Sequence, residues 1–304
     1  MSIDILRAMT TEPVPLDFLW PGSGYLAGTV GALVAPGATG KSWWALQAAM
    51  SLAAGAAVAG TAQGGADVLD LQPTVTGKVV YLAGEDPEQA LLHRLYALGQ
   101  HITDPAVRDA LAENLTIEPI VGKRLNVMDD RQSNGLIRAC VGVRLIVLDT
   151  LSRIHLLDEN SNGDMARLVS QLEFIAARTG AAVLYLHHVS KGAARDGQLD
   201  QQQAARGASA LVDNPRWCGY VARMMDSEAL AWSDDPASGR PIGTDRRGYF
   251  LRFGISKQNY SAMSEDRWYI RTEGGVLVPA VLGAVKKAET KGKVKGKDRE
   301  PATY

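Results

Sequence analysis

Cysteine is almost missing from this chain. Cys140 and Cys218 are the only two among 304 residues. Each lies among apolar neighbours with no paired spacing, which sets aside a disulfide framework, makes buried free thiols the expectation and fits a reducing cytoplasm. Long apolar runs are missing too. No uncharged stretch reaches the roughly 18 residues that a spanning helix needs, and the nearest, residues 45–62, is broken by Gly55 and Gly60. No signal-peptide pattern opens the chain, so no membrane partner is expected. Excess charge is the third absence. A formal net charge of −1 announces no global basic field, so a polyanion would have to be held through local patches. The charge is unevenly spread, with seven Lys/Arg against three Asp/Glu from Ala284 to Tyr304, or +4, leaving the body near −5.

At 46% apolar and 21% charged, the chain can bury a full core as one large domain. Three regions are expected: an extension over 1–28 with Pro13, Pro15 and Pro21 that drapes over a neighbouring surface, a core over 29–282, and a basic, disordered tail over 283–304. The core opens with an apolar strand over 29–34, then Ala35-Pro36-Gly37-Ala38-Thr39-Gly40-Lys41-Ser42, then a helix from Trp43 to Ala54. Strand, glycine-rich turn and helix with Lys-Ser at its start meet a phosphate chain with backbone N–H groups, the positive end of a helix dipole and an ammonium. The pattern G-x-x-x-x-G-K-[ST] is kept except that Ala35 stands first; the glycines allowing close backbone approach are Gly37 and Gly40. Lys41 would bind phosphate and Ser42 Mg²⁺, which makes this a nucleoside triphosphate site.

Further strands are expected over 78–83, 115–120, 144–149 and 181–186, with helices following Pro87, near 133–140 and over 164–178. Such alternation describes an open α/β sheet with its site along one rim. Glu85 just past the second strand is placed to orient or deprotonate an attacking water, the alternative being a first-turn acid of the next helix, which suits Asp86 better. Asp149 ends an apolar strand about 110 residues after Lys41, the carboxylate partner of a phosphate loop that holds the Mg²⁺ shell. His187 and His188 point to opposite faces of their strand and cannot ligate one ion; His188 is the better placed to meet a γ-phosphate. The polar loop 189–203, with Lys191 and Arg195, reads either as a nucleic-acid contact or as a solvated connector. Arg216 reads either as a bridge to a neighbour's γ-phosphate or as an ion pair with Asp213. Residues 226–248 lose all pattern and are expected to be an exposed connection. A C-terminal antiparallel meander is expected over 249–257, 266–271 and 275–278.

Together, Gly28–Val34 into the phosphate loop, Glu85-Asp86-Pro87, Val147-Leu148-Asp149-Thr150, Leu186-His187-His188, Ser190–Ala194, Gln201–Gln203, Arg206-Gly207 and Leu211–Asn214 resemble the RepA-type hexameric replicative DNA helicases of broad-host-range plasmids, over about Asp17 to Val281. The resemblance implies a RecA-like P-loop core with a mostly parallel central sheet, helices on both faces and C-terminal antiparallel strands. It implies ATP and Mg²⁺ as cofactors, with catalysis by Glu85, Lys41, His188 and, acting in trans, Arg216. Residues 35–43, through Trp43, would surround the nucleotide, Arg94 and Tyr260 would sandwich adenine, and Lys257 is a second candidate for a neighbour's phosphate. The loops after Asp149 and His188 would line a channel for single-stranded DNA, offering Arg153, Lys191 and Arg195. A homo-hexamer moving 5′ to 3′, with a plasmid primase and an origin-binding initiator as partners, completes what the resemblance implies.

Overall fold

The computed structural model describes residues 2–55, 65–189, 209–235, 237–260 and 265–285. Its spine is a nine-stranded sheet. Strand β1 (Val30–Ala35) is flanked on one side by β5 (Ala182–His188), β4 (Leu145–Asp149), β2 (Val79–Ala83) and β3 (Leu115–Pro119), in that spatial order. On its other side lie β6 (Trp217–Arg223), β8 (Phe250–Gln258), β9 (Arg267–Arg271) and β10 (Leu277–Pro279). Pairing is parallel from β6 through β1 to β3 and antiparallel from β6 to β10. The expected α/β core with C-terminal antiparallel strands is therefore the observed one.

The strands are apolar on both faces because helices cover both. Leu33, Ala35, Leu145, Val147, Leu184 and Leu186 face one core, whereas Val30, Ala32, Val34, Ile146, Leu148 and Val183 face the other. The first core receives α2 (Lys41–Ala54), an alanine-rich helix buried nearly all round, as an element apolar on every side must be. It is joined there by α3 (Glu88–Gly99) and α4 (Pro105–Asn114), the latter N-capped by Asp104. The second core receives α5 (Asp130–Ala139), capped by Asp129, and α6 (Asn162–Thr179), which Ser161 caps and Gly180 ends at φ 77°. A short α7 (Ala210–Asp213) closes this face beside α6.

Residues 1–28 divide. Helix α1 (Ile5–Thr10) and its flanks, residues 2–17, are exposed, with Ile5, Leu6 and Met9 bare. Leu19, Trp20 and Tyr25 instead plug into the chain's own first core. Trp20 meets Tyr25, Trp44 and Trp217 edge-on, and Tyr25 stacks on Trp217 at 4.7 Å. Gly31 is required under this cluster, since a Cβ there would lie 2.6 Å from the Tyr25 ring. Arg144 clamps Asp17 with two hydrogen bonds of 2.9 and 2.8 Å at the same corner.

Residues 226–248 depart from the expected patternless connection. They form α8 (Asp226–Ala231) and β7 (Trp232–Ser233), and Ala229 and Ile242 pack with Met224 and Phe250 into a third small core. Strand β11 (Gly283–Ala284) pairs with β7, so ordered chain continues past residue 282. The signal was invisible because these apolar residues are too widely spaced to form a period; a long-range pairing supplies the order.

Candidate nucleotide site

The site is built on the rim where β1, β2, β4 and β5 end together. The loop leaving β1 turns through Ala38 at φ 57° and Gly40 at φ 118° into α2. Only Gly40 strictly requires glycine here: a Cβ would lie 2.7 Å from Arg271 Nη2 and 2.8 Å from Leu251 Cδ2. At Gly37 a Cβ would meet no protein atom; Gly37 leaves the loop's open side clear. The loop borders a cleft of about 350 Å³. Lys41, Ser42, Trp43, Glu85, Asp86, Arg94, His188 and Arg271 also line it.

Three polar side chains, Lys41, His188 and Glu85, converge here. Lys41 Nζ lies 3.2 Å from His188 Nε2, and that nitrogen lies 3.3 Å from Glu85 Oε1. His188 shares a face with Leu184 and Leu186, beneath the phosphate loop, while His187 is buried. Burial lowers the Lys41 ammonium's pKa, opposed by Asp149, Glu85 and Asp86. The hydrogen bond from His188, with help from Lys41, holds Glu85 below the ordinary carboxylate range, which favours its charged form. Arg153, at the start of the loop after Asp149, is exposed and its cation also lowers Glu85.

Asp149 is 2% exposed, and burial raises its pKa. Tyr81, Lys41 and Ser42 oppose that shift. Ser42 Oγ donates to its Oδ1 at 3.2 Å and Tyr81 OH to its Oδ2 at 2.6 Å. A hydroxyl at the helix start touching a carboxylate at the end of the adjacent strand is a donor set that suits Mg²⁺ held partly through water. Among the described residues no cluster of three or more His, Cys, Asp or Glu forms a protein-only metal cage.

Arg94 lies over the Trp43 ring at 5.4 Å and is held by Asp86 at 2.6 and 3.0 Å. Asp86 thus orients Arg94, while the α3 N-cap is Pro87 with no side-chain cap. Tyr260 does not join Arg94 within one chain. Gln258 pairs with Trp217, and Trp217 with Gly31, so Tyr260 follows β8 out at the sheet edge opposite the phosphate loop. Arg216, exposed, sits at that same far edge with its N–H on Val30 O at 3.2 Å. It makes no ion pair with Asp213, whose backbone oxygen instead accepts from Lys257 Nζ. Lys191 and Arg195 lie outside the described residues.

Three contributors had escaped the sequence reading. Tyr81 carried a faint signal, because it shares a strand face with Ala83, which pairs with Asp149. Arg223 and Arg271 carried none. They reach the phosphate loop from 185 and 232 residues away, Arg223 donating to Ala38 O at 2.5 Å and Arg271 to Thr39 O at 2.9 Å.

A mostly parallel sheet, a lysine-serine phosphate loop, and Asp149 and Glu85 on one rim define the class: a RecA-like P-loop ATPase. The chain belongs to the AAA domain family, whose profile matches residues 3–194. Two solved structures share the fold. The ATPase domain of G40P is 13% identical, with 90% of this chain and 95% of that one covered at a TM-score of 0.53. A DnaB-like replicative helicase, solved for its interactions with primase, is 13% identical, with 91% and 67% covered at 0.58. Among the described residues no helix is long and apolar enough to cross a membrane.

Proposed function

We propose that this chain is the motor subunit of an ATP-dependent replicative DNA helicase, a homo-hexameric ring that moves 5′ to 3′ on single-stranded DNA during plasmid replication. One observation carries the reading. The triphosphate site is gathered on one sheet edge, while Arg216, Lys257 and Tyr260 lie on the opposite edge, so that any nucleotide site they reach would be another copy's. Head-to-tail repetition brings those edges together, and such an interface closes into a ring when its rotation allows. Exposed residues 2–17, with bare Ile5, Leu6 and Met9, offer the apolar strap such neighbours need.

In each site the loop N–H groups and Lys41 would bind the β- and γ-phosphates, and Arg94 with the neighbour's Tyr260 would take adenine. Ser42 and Asp149 would hold Mg²⁺, which neutralises charge building on the phosphate oxygens during transfer. Glu85 would orient and deprotonate the water. His188, now spanning Lys41 and Glu85, would exchange that contact for the γ-phosphate and release it on hydrolysis. The chain runs on from His188 into residues 189–203, so the exchange would be coupled directly to the segment that would carry Lys191 and Arg195 to DNA, alongside Arg153. Only the channel then needs to be positive, which reconciles a net charge of −1 with DNA binding.

The test joins particle mass, with and without ATP, to strand displacement on forked duplexes carrying one 5′ or one 3′ tail. A hexamer whose hydrolysis is stimulated by single strands and which needs the 5′ tail supports the reading. A lone protomer indifferent to DNA refutes it. A ring that hydrolyses ATP on DNA without displacement marks a regulatory or recombination ATPase instead. Association with a plasmid primase or origin-binding initiator, and residence in the cytoplasm, belong to the same proposal.

A further inference from the structure

Asp149 is buried, yet both its oxygens are occupied by hydroxyl groups from different elements. Ser42 comes from the first turn of α2. Tyr81 comes from the middle of β2, two residues before Ala83, the partner of Asp149 in the parallel ladder. In such a ladder paired residues share a face, so Tyr81 and Asp149 lie diagonally on the surface that α2 covers. The Tyr81 ring is packed in the first core at 1% exposure. Its oxygen therefore emerges in the wedge between β2, β4 and the start of α2, 2.6 Å from Asp149 Oδ2 and 3.4 Å from Ser42 O. A phenol has one proton, and the shorter contact to the carboxylate takes it.

We propose that Tyr81 is a positioning residue for the metal site, fixing the plane of the Asp149 carboxylate so that its remaining lone pairs face the Mg²⁺ water shell. The inference rests on the nucleotide-site reading above. A carboxylate held at one oxygen can rotate about its terminal bond, and the Ser42 hydroxyl by itself is a poor restraint because Ser42 is also asked to ligate the metal. A rigid aromatic lever whose ring is clamped by the core supplies the second point. Removing an outer partner of a metal ligand typically weakens metal affinity about 10- to 100-fold, and Tyr81→Phe removes only one oxygen without emptying the core.

Binding of a fluorescent ADP analogue, read by anisotropy over a Mg²⁺ titration with an EDTA baseline, tests this on the full chain. Tyr81→Phe should bind the analogue as wild type does in EDTA and need about tenfold more Mg²⁺ at its midpoint. In an Asp149→Asn background the same change should move the midpoint no further, because there is no carboxylate left to orient. An unmoved Mg²⁺ midpoint, or an equal loss of binding in EDTA and in Mg²⁺, overturns the proposal and leaves Tyr81 as packing alone. Wild-type protein whose analogue binding ignores Mg²⁺ overturns the underlying site reading, a result distinct from either.

Discussion

Arg271→Ala offers a sharp test of how the phosphate loop is held. Arg271 and Arg223 grip two successive loop carbonyls, those of Thr39 and Ala38, on either side of the left-handed turn. Ala38 at φ 57° is a conformation that costs a non-glycine residue about 1 kcal/mol or more, so something must over-determine it. A hydrogen bond to a charged donor contributes about 1.5–3 kcal/mol. Arg271 is about half-buried, and discounting for solvent leaves roughly 1 kcal/mol. If the loop in its binding shape loses that much, nucleotide affinity should fall by up to about fivefold, since the unproductive shapes must be paid for before phosphate can bind. A second effect has the same sign. Arg223 and Arg271 both reach adjoining loop carbonyls, so two cations lie beside the place a phosphate would take. Salt separates the two, because the electrostatic part fades as ionic strength rises while pre-organisation does not. Anisotropy of a fluorescent ADP analogue for wild type, Arg271→Ala, Arg223→Ala and the double variant, at 50 and 500 mM salt as chosen conditions of roughly long and short Debye length, reads both. The double variant should depart from the product of the singles, as neighbours on one loop couple. Unchanged affinity in Arg271→Ala at both salts would sink the argument.

Burial pushes both thiols up to about 11. Neither Cys140 nor Cys218 should therefore react with a disulfide reagent at about pH 8 until the chain is unfolded, because the thiolate is the reacting species; labelling followed by mass spectrometry checks it. The Arg144 clamp holds Asp17 below the ordinary carboxylate range. Its contribution is thus fully present above that range and lost as pH falls through the depressed value. Melting curves of wild type and Asp17→Asn should accordingly differ near neutral pH and converge in strong acid. Gly40→Ala should weaken nucleotide binding sharply, because at φ 118° the backbone is strained for any residue with a Cβ, and that Cβ would also push the Arg271 and Leu251 side-chain ends aside.

The rim was legible because strand ends announce themselves: Asp149, Glu85 and His188 each follow an apolar run, and a parallel sheet puts such ends on one edge. The helices expected near 133–140 and over 164–178 begin a few residues earlier, at Asp130 and Asn162 behind the caps Asp129 and Ser161. What stayed hidden depends on contacts across long sequence separations. Arg271 is an ordinary charged strand residue until β9 is laid beside the phosphate loop, and Trp20 looks like part of a loose extension until Trp217 and Trp44 close around it. Tyr260 shows what only the topology adds: β8 runs antiparallel to β6 and delivers Tyr260 to the far edge, so the pairing with Arg94 implied by resemblance would have to form between two chains.

That separation of edges makes the proposed assembly testable by mixing two dead proteins. Lys41→Ala should destroy turnover at its own site but leave its Arg216 edge intact. Arg216→Ala should bind nucleotide normally and fail to turn over, since a trans arginine contributes about 10³–10⁵ in rate. Mixed at equal concentration and allowed to reassemble, an Arg216→Ala protomer's intact pocket will often face a Lys41→Ala neighbour's intact arginine. With random heterologous interfaces, about a quarter have that order, so turnover should recover to about a quarter of wild type if sites act independently. If hydrolysis must pass around the ring in sequence, steady-state recovery will vanish, because at most every second interface of a mixed ring is complete, but a single-turnover burst from the completed quarter of sites will still count as recovery. No recovery at any ratio, with mass measurements showing mixed particles, would mean that the far edge does not complete a neighbour's site. The division of labour between Lys41 and Arg216 would then be wrong.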